Sequence, residues 1–307
     1  MSIKTITRAT AIILTLLFNS AWAQSFSEGR SAYNEGDYET AFEVFKPLAE
    51  EGNADAQLVL GAMSQKGEGA AQDYSEAARW YRAAAEQGHA GAQSLLGSLY
   101  ANGEGVSKDY SEAAGWYRAA AEQGHAIAQR NLGFMYSQGN GVTQDDSEAV
   151  RWYRAAAEQG DARAQSNLGN MYKNGNGVLQ DYPEAMRLYR AAAEQGDANA
   201  QSMLGVMYSQ GLGVDEDLSE AMHWYRAAAR QGIASAQAVL AAGYALGDGV
   251  PQDFLTAHMW ANIAAANGVP EAGEARDSLA SNMSPDTIAE AQSRARACME
   301  SGYQDCG

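Results

Sequence analysis

An all-α array of two-helix repeats is the fold class this sequence predicts, and three observations carry the prediction. Glycines stand at a constant spacing of 36 residues: Gly52, Gly88, Gly124, Gly160, Gly196, Gly232 and Gly268. The stretch Trp-Tyr-Arg-Ala-Ala-Ala-Glu-Gln-Gly recurs at 152–160, with near-identical copies at 80–88 and 116–124 and looser ones at 188–196, 224–232 and 260–268. Within each period the apolar residues fall at helical spacing. A fixed period of this size marks a repeat architecture before any other argument is made.

The first 23 residues read as a signal peptide. Lys4 and Arg8 form a basic start, 9–18 is a short and mostly apolar run, and Ala21-Trp22-Ala23 puts small residues where a signal peptidase reads them. Cleavage is expected before Gln24. The apolar run is well short of the ~20 residues that cross a bilayer. No cysteine follows the cleavage site to take a lipid. An exported protein is expected, periplasmic or secreted, with no membrane span.

Cleavage removes two basic residues and no acidic one, taking the formal charge from −17 to −19. That balance excludes general nucleic-acid binding, which needs clustered lysine and arginine. The two cysteines, Cys298 and Cys306, lie at the C-terminus. In an oxidising compartment such a pair is expected to bridge, closing a small loop through Gly302; reduced thiols are the alternative. Two cysteines with no histidine nearby do not suggest a metal site.

In chain order, 24–52 reads as a helical hairpin that caps the array. Phe26, Arg30 and Tyr33 lie on its first helix, Gly36-Asp37 makes the turn, and Tyr38, Ala41, Phe42, Phe45 and Leu48 follow on its second. Terminal units of a solenoid are atypical because one face meets water. Six units follow: 53–88, 89–124, 125–160, 161–196, 197–232 and 233–268. In the third, Ala128, Leu132, Met135 and Tyr136 mark one face of a first helix. Gly133, repeated as Gly61, Gly97, Gly169 and Gly205, removes a side chain where two helices touch. Glycine there costs roughly 1 kcal/mol against alanine, so close packing is the reason to expect it.

Gly139-Asn140-Gly141 is the turn, its first glycine suited to a left-handed helix end. No strand precedes it and no third glycine follows, so a phosphate-cradling loop is not indicated. Asp145 and Glu148 form a predicted capping box, with the Asp capping the second helix and the Glu reaching back. Capping accounts for these paired carboxylates without invoking acid–base catalysis. Trp152, Tyr153, Ala156 and Ala157 continue the helix, rings filling space and alanines letting backbones approach. The last copies drift: Arg230 replaces glutamate, Ala241 replaces glycine and Ala261 replaces tyrosine, as expected near the end of an array. Residues 269–307 are expected to form a helical cap, one helix from Pro270 to about Asn282 and another from Ser284-Pro285 to about Met299.

The pattern Ala92-Gln93, Leu96-Gly97, Tyr100, Gly103, Gly105-Val106, Asp109-Tyr110, Ala113 and Trp116 to Gly124 resembles the Sel1-like repeat, and six copies from Asn53 to Gly268 agree. The resemblance implies an α-solenoid related to tetratricopeptide repeats, coiled as a right-handed superhelix. It also implies an adaptor that holds other proteins. One exported, cysteine-rich branch acts on β-lactams; its repeats carry cysteine pairs, and the six units here carry none.

No catalytic motif and no cofactor motif is present. The histidines, His89, His125, His223 and His258, read as surface or turn residues. If first helices line an inner surface, Ile127, Arg130, Phe134 and Ser137, then Arg163, Ser166, Asn170 and Lys173, then Asn199, Ser202, Val206 and Ser209 face it. Partner-binding residues are expected at Arg130, Phe134, Arg163, Asn170 and Lys173, suited to an acidic peptide because guanidinium pairs with both carboxylate oxygens. The expected function is a monomeric, non-enzymatic scaffold for a protein or peptide. A carbohydrate- or peptidoglycan-binding envelope protein is the alternative, and a β-lactam-acting hydrolase a remote one.

Overall fold

The computed structural model describes residues 24–306; the expected signal peptide lies outside them. Helix α1 occupies 24–35. It is followed by α2 (Tyr38–Glu50), α3 (Ala54–Lys66), α4 (Tyr74–Glu86), α5 (Ala90–Asn102), α6 (Tyr110–Glu122), α7 (Ala126–Gln138), α8 (Asp146–Glu158) and α9 (Ala162–Asn174). Then come α10 (Tyr182–Glu194), α11 (Ala198–Gln210), α12 (Leu218–Ala229), α13 (Ala234–Leu246), α14 (Phe254–Ala266), α15 (Pro270–Ala280) and α16 (Pro285–Glu300). Among the described residues there is no strand. The fold is the expected all-α class, an α-solenoid of two-helix repeats. It divides into two compact units, the described residues up to Ala155 and those from Ala156 on.

Each repeat is punctuated by the same local chemistry. First helices α3, α5, α7, α9 and α11 start after Asn53, His89, His125, Asp161 and Asp197, whose side chains accept a backbone N–H two residues into the helix. They end on glycine in the left-handed conformation, as at Gly103 (φ 78°) and Gly139 (φ 70°). The second glycine of each turn has a further duty. A Cβ at Gly105 or Gly141 would run into the backbone at Tyr74 or Tyr110, where the preceding repeat's second helix begins. The turn is therefore also a contact between neighbours.

Second helices are capped by aspartate, but the capping box is only half made. Asp73 Oδ1 accepts from Ser75 N (2.8 Å) and Glu76 N (3.0 Å). Glu76 does not reach back, because the Asp73 N–H is already given to the Ser64 carbonyl of the first helix (2.8 Å). Glu76 instead takes Arg79 (Nε 2.9 Å), and Glu148 and Glu184 likewise take Arg151 and Arg187. In α12 His223 stands where the arginine would be, and Glu220 turns to Trp224 Nε1 (2.9 Å).

The two repeated rings do different work. Trp80 and Trp152 bury themselves between their own hairpin and the preceding one, clustering with Leu60 and Leu132 of their own and with Phe45 and Ala113 of the preceding, respectively. The tyrosine that follows packs over the glycine of its own hairpin. A Cβ on Gly97 would stand 2.9 Å from Tyr117 Cδ1, and one on Gly133 2.8 Å from Tyr153 Cδ1. Gly169 with Tyr189 and Gly205 with Tyr225 repeat this, always 20 residues apart. The sixth repeat holds Ala241 and Ala261 at those two positions, both buried. The drift expected of a fading array is thus, here, a paired exchange: when the ring shrinks to a methyl, the glycine opposite can carry one.

Buried glutamines tie neighbours together. Gln57 Nε2 donates to the Ala49 carbonyl (3.0 Å) and its Oε1 accepts from Gln87 (2.8 Å). Gln93 and Gln123, and Gln201 and Gln231, do the same. Both polar ends are satisfied, so the "Ala-Gln" and "Gln-Gly" of the repeat are one device read twice.

At the C-terminus α15 ends at Ala280, earlier than expected, and α16 starts at the expected Ser284 cap, which accepts from Thr287 N. Ala291, Ala295 and Cys298 of α16 join a core with Met259, Trp260 and Ile263 of α14. Cys298 and Cys306 are bonded as a disulfide. Between them Gly302 and Tyr303 both turn left-handed (φ 63° and 67°), and the Tyr303 hydroxyl donates to Asn267 (3.0 Å).

Candidate functional site: the exposed faces of the first helices

Charge is partitioned between the two kinds of helix. The chain has 38 acidic residues. Helices α5, α7, α9, α11 and α13 contain none of them, and their only charged residues are Arg130, Arg163 and Lys173. Apart from Asp55 on α3, the acids lie on second helices, in turns and at the ends of the chain. Helices α7 and α9 bury Ala, Leu, Gly and Met, so what remains for solvent is neutral or basic.

In the first unit, α7 brings together Arg130 and Phe134, one helical turn apart. Phe134 is 51 % exposed, Ile127 on the same helix 48 %, and Leu95 on α5 36 %. Beside them lies a cleft of about 240 Å³ lined by Ser98 and Ala101 of α5, Tyr110 and Tyr117 of α6, Asn131, Phe134 and Met135 of α7, and Asn140. Burial pushes the Tyr117 phenol above its ordinary pKa, while hydrogen bonds to Ser98 and Asn131 and the charge of Arg130 pull the other way. Tyr153 is raised for the same first reason and opposed by Ser137 and by Arg130. The Arg130 guanidinium therefore lies in the field of both phenols.

In the second unit, α9 carries Arg163, Asn170 and Lys173. Arg163 is exposed. Asn170 Oδ1 accepts from the Tyr189 hydroxyl (2.8 Å), and Lys173 Nζ sits 3.7 Å from Met203 Sδ. Two of the expected face positions are corrected: Ser166 and Ser202 are buried, at 3 % and 6 % exposure. Val206 is half-buried against the C-terminal core.

The residues that sequence reasoning missed are the tyrosines. Laid over glycine, each ring crosses its hairpin and delivers its hydroxyl to the first-helix side: Tyr81 to Gln65 (2.8 Å), Tyr189 to Asn170, and Tyr225 beside Ser209 (3.4 Å). The constant 20-residue spacing from glycine to tyrosine was the available signal. The histidines divide. His89 and His125 are helix caps, Nδ1 accepting from Ala92 N (3.2 Å) and Ala128 N (3.3 Å), and His223 is exposed. His258, expected at the surface, is 1 % exposed on α14 near Arg276 and Asp277, and burial lowers its pKa. Among the described residues no cluster of three or more His, Cys, Asp or Glu is placed to hold a metal. No helix among them is long and apolar enough to cross a membrane.

The Sel1 repeat family model matches six times, at residues 54–89, 90–125, 126–161, 162–197, 198–233 and 234–269. The chain belongs to the Sel1 repeat family. It is similar to a protective antigen of uropathogenic Escherichia coli with an SLR fold, at 39% identity and a TM-score of 0.76 over 86% of this chain. The match spans 57% of that longer chain. It is also similar to a Sel1 repeat protein from Oxalobacter formigenes, at 37% identity and a TM-score of 0.72 over 78% of this chain and 96% of that one. No curated protein matches. Sel1 repeats in general mediate protein–protein interaction, and the architecture described above is theirs.

Proposed function

We propose that this Sel1 repeat protein is an exported, non-enzymatic scaffold that binds an acidic protein or peptide through the exposed faces of its first helices. The observation that carries the reading is the partition of charge: first helices α5 to α13 are free of carboxylate in a chain of net charge −17. A uniformly acidic molecule repels an acidic partner; one that keeps its carboxylates off a face leaves that face open to it. Arg130, Phe134, Arg163, Asn170 and Lys173 are the proposed contact residues. Export is supported by the Cys298–Cys306 disulfide and by the basic–apolar–small pattern of the first 23 residues. The mature chain then begins at Gln24, with helical caps at 24–52 and 269–307, and acts as a monomer.

The test is selection from a random peptide library displayed to the mature protein. Enriched peptides should be richer in Asp and Glu than the library. Their binding should weaken with salt and fall about tenfold or more, roughly 1.4 kcal/mol, in the variant R130A/R163A/K173A. Enrichment of neutral or basic peptides that bind this variant as tightly as the parent refutes the reading.

A further inference from the structure

Between the first helices α5 and α7 a space is left open within a compact unit. On α3 the side chain at the corresponding place is Gln65, whose Oε1 holds the Tyr81 hydroxyl (2.8 Å). Between α9 and α11 the place is filled by Lys173 lying against Met203 (3.7 Å). The residue equivalent to Gln65 and Lys173, 36 residues on or multiples of it, is Ala101 on α5, and the residue equivalent to Met203 is Asn131 on α7. Both are smaller. Their exchange leaves the cleft of about 240 Å³ floored by Tyr117. That is room for roughly eight waters at ~30 Å³ each, or for one large side chain.

We propose that this cleft seats an apolar anchor side chain, leucine- to phenylalanine-sized, of the acidic peptide that the first-helix faces bind. The proposal rests on the functional reading above and deepens it. Three features of the cleft favour that occupant. Its lining contains no charged residue. Its edge includes Phe134, half exposed, and Met135 and Ala101 line it as well, which gives an entering apolar side chain apolar contact. Its polar groups are neutral, and with the Tyr117 hydroxyl already engaged by Ser98 and Asn131, Tyr110 and Asn140 are left for the peptide backbone. A partner that supplies an apolar side chain flanked by carboxylates meets an uncharged pocket set in a face without carboxylates, and specificity comes from shape at the anchor and charge around it.

The experiment uses the full mature protein and the library-selected peptides. In A101Q the cleft is closed with the residue that stands at the equivalent place in α3, so the fold has already accommodated it there. The selected peptides should share one Leu, Ile, Met or Phe. Replacing that residue by Ala should weaken binding about tenfold in the parent. A101Q should lose the same tenfold and be indifferent to the Ala replacement. F134A should weaken binding while circular dichroism stays that of the parent. If selected peptides bind A101Q as tightly as the parent, the anchor proposal falls and the scaffold reading stands. If no peptide is enriched, both fall together. If instead an N-acetylglucosamine trimer binds the parent and A101Q abolishes it, the cleft is a sugar site and the peptide occupant is wrong.

Discussion

Two glycine-to-alanine changes in helices should act in opposite directions, and the structure says why. At Gly133 of α7 a new Cβ would lie 2.8 Å from Tyr153 Cδ1, 3.0 Å from Cε1 and 3.2 Å from the Ala149 carbonyl oxygen. The ring is buried and cannot withdraw. Overpacking of this kind costs about 1–3 kcal/mol, against roughly 1 kcal/mol gained from helix propensity, so G133A should be destabilised, by up to about 2 kcal/mol. At Gly115 of α6, exposed, nothing lies within 4 Å of the added methyl. There the propensity gain is unopposed, and G115A should be more stable by about 0.5–1 kcal/mol. Urea unfolding followed by circular dichroism measures both. The double variant G133A/Y153A, which reproduces the Ala241/Ala261 pair of the sixth repeat, should be less damaged than the two single losses added together, a coupling of about 1–2 kcal/mol. Stabilisation by G133A, or additivity in the cycle, would show that glycine and tyrosine do not interlock and that the repeat's glycine has another cause.

The capping aspartates and their glutamates should separate in the same way. D73A removes a carboxylate that accepts two helix N–H groups and should cost about 1–2 kcal/mol, whereas E76A loses only an exposed ion pair with Arg79 and should cost under about 1 kcal/mol; thermal melts distinguish them. For His125, burial first and the neighbouring His89 second hold the folded-state pKa below the unfolded value. Neutral His125 therefore supports the fold above about pH 6.5, and that support is lost as pH falls through the unfolded and then the folded pKa. H125D, which installs the cap residue of α9 and α11, should flatten part of the stability loss between pH 7 and 5 in urea titrations; an unchanged slope would remove His125 from the account. Reducing Cys298–Cys306 opens a loop with sequence separation 8 and should cost about 2–3 kcal/mol. Hydrogen exchange should then rise in α16 and leave α3 to α7 unchanged, because repeats feel only their neighbours.

Much of this was legible in the sequence because a repeat states its local rules six times. Asp at the second-helix start, glycine at the first-helix end and alanine on the buried stripe each follow from backbone geometry within a few residues. Periodicity alone placed the helices, and Arg130, Arg163 and Lys173 were recognisable as basic residues in an acidic chain. Other features were not local. Glu148 reads as the second half of a capping box, but the Asp145 N–H it would serve is taken by the Tyr136 carbonyl, nine residues earlier and in another helix. Ser166 and Ser202 looked like surface residues and are buried, since helical spacing gives a face without saying which neighbour covers it.

The chain's own order of residues thus determined the repeat, its all-α class, its family and its uneven charge, because each is set by periodicity and composition. Only the packed structure decided that the tyrosine ring crosses its hairpin over a glycine 20 residues back, that His258 is interior, and that small side chains at Ala101 and Asn131 leave a cleft where Gln65 or Lys173 with Met203 would close one. Those are matters of volume shared between residues distant in sequence, and volume is settled only when the helices are laid against each other.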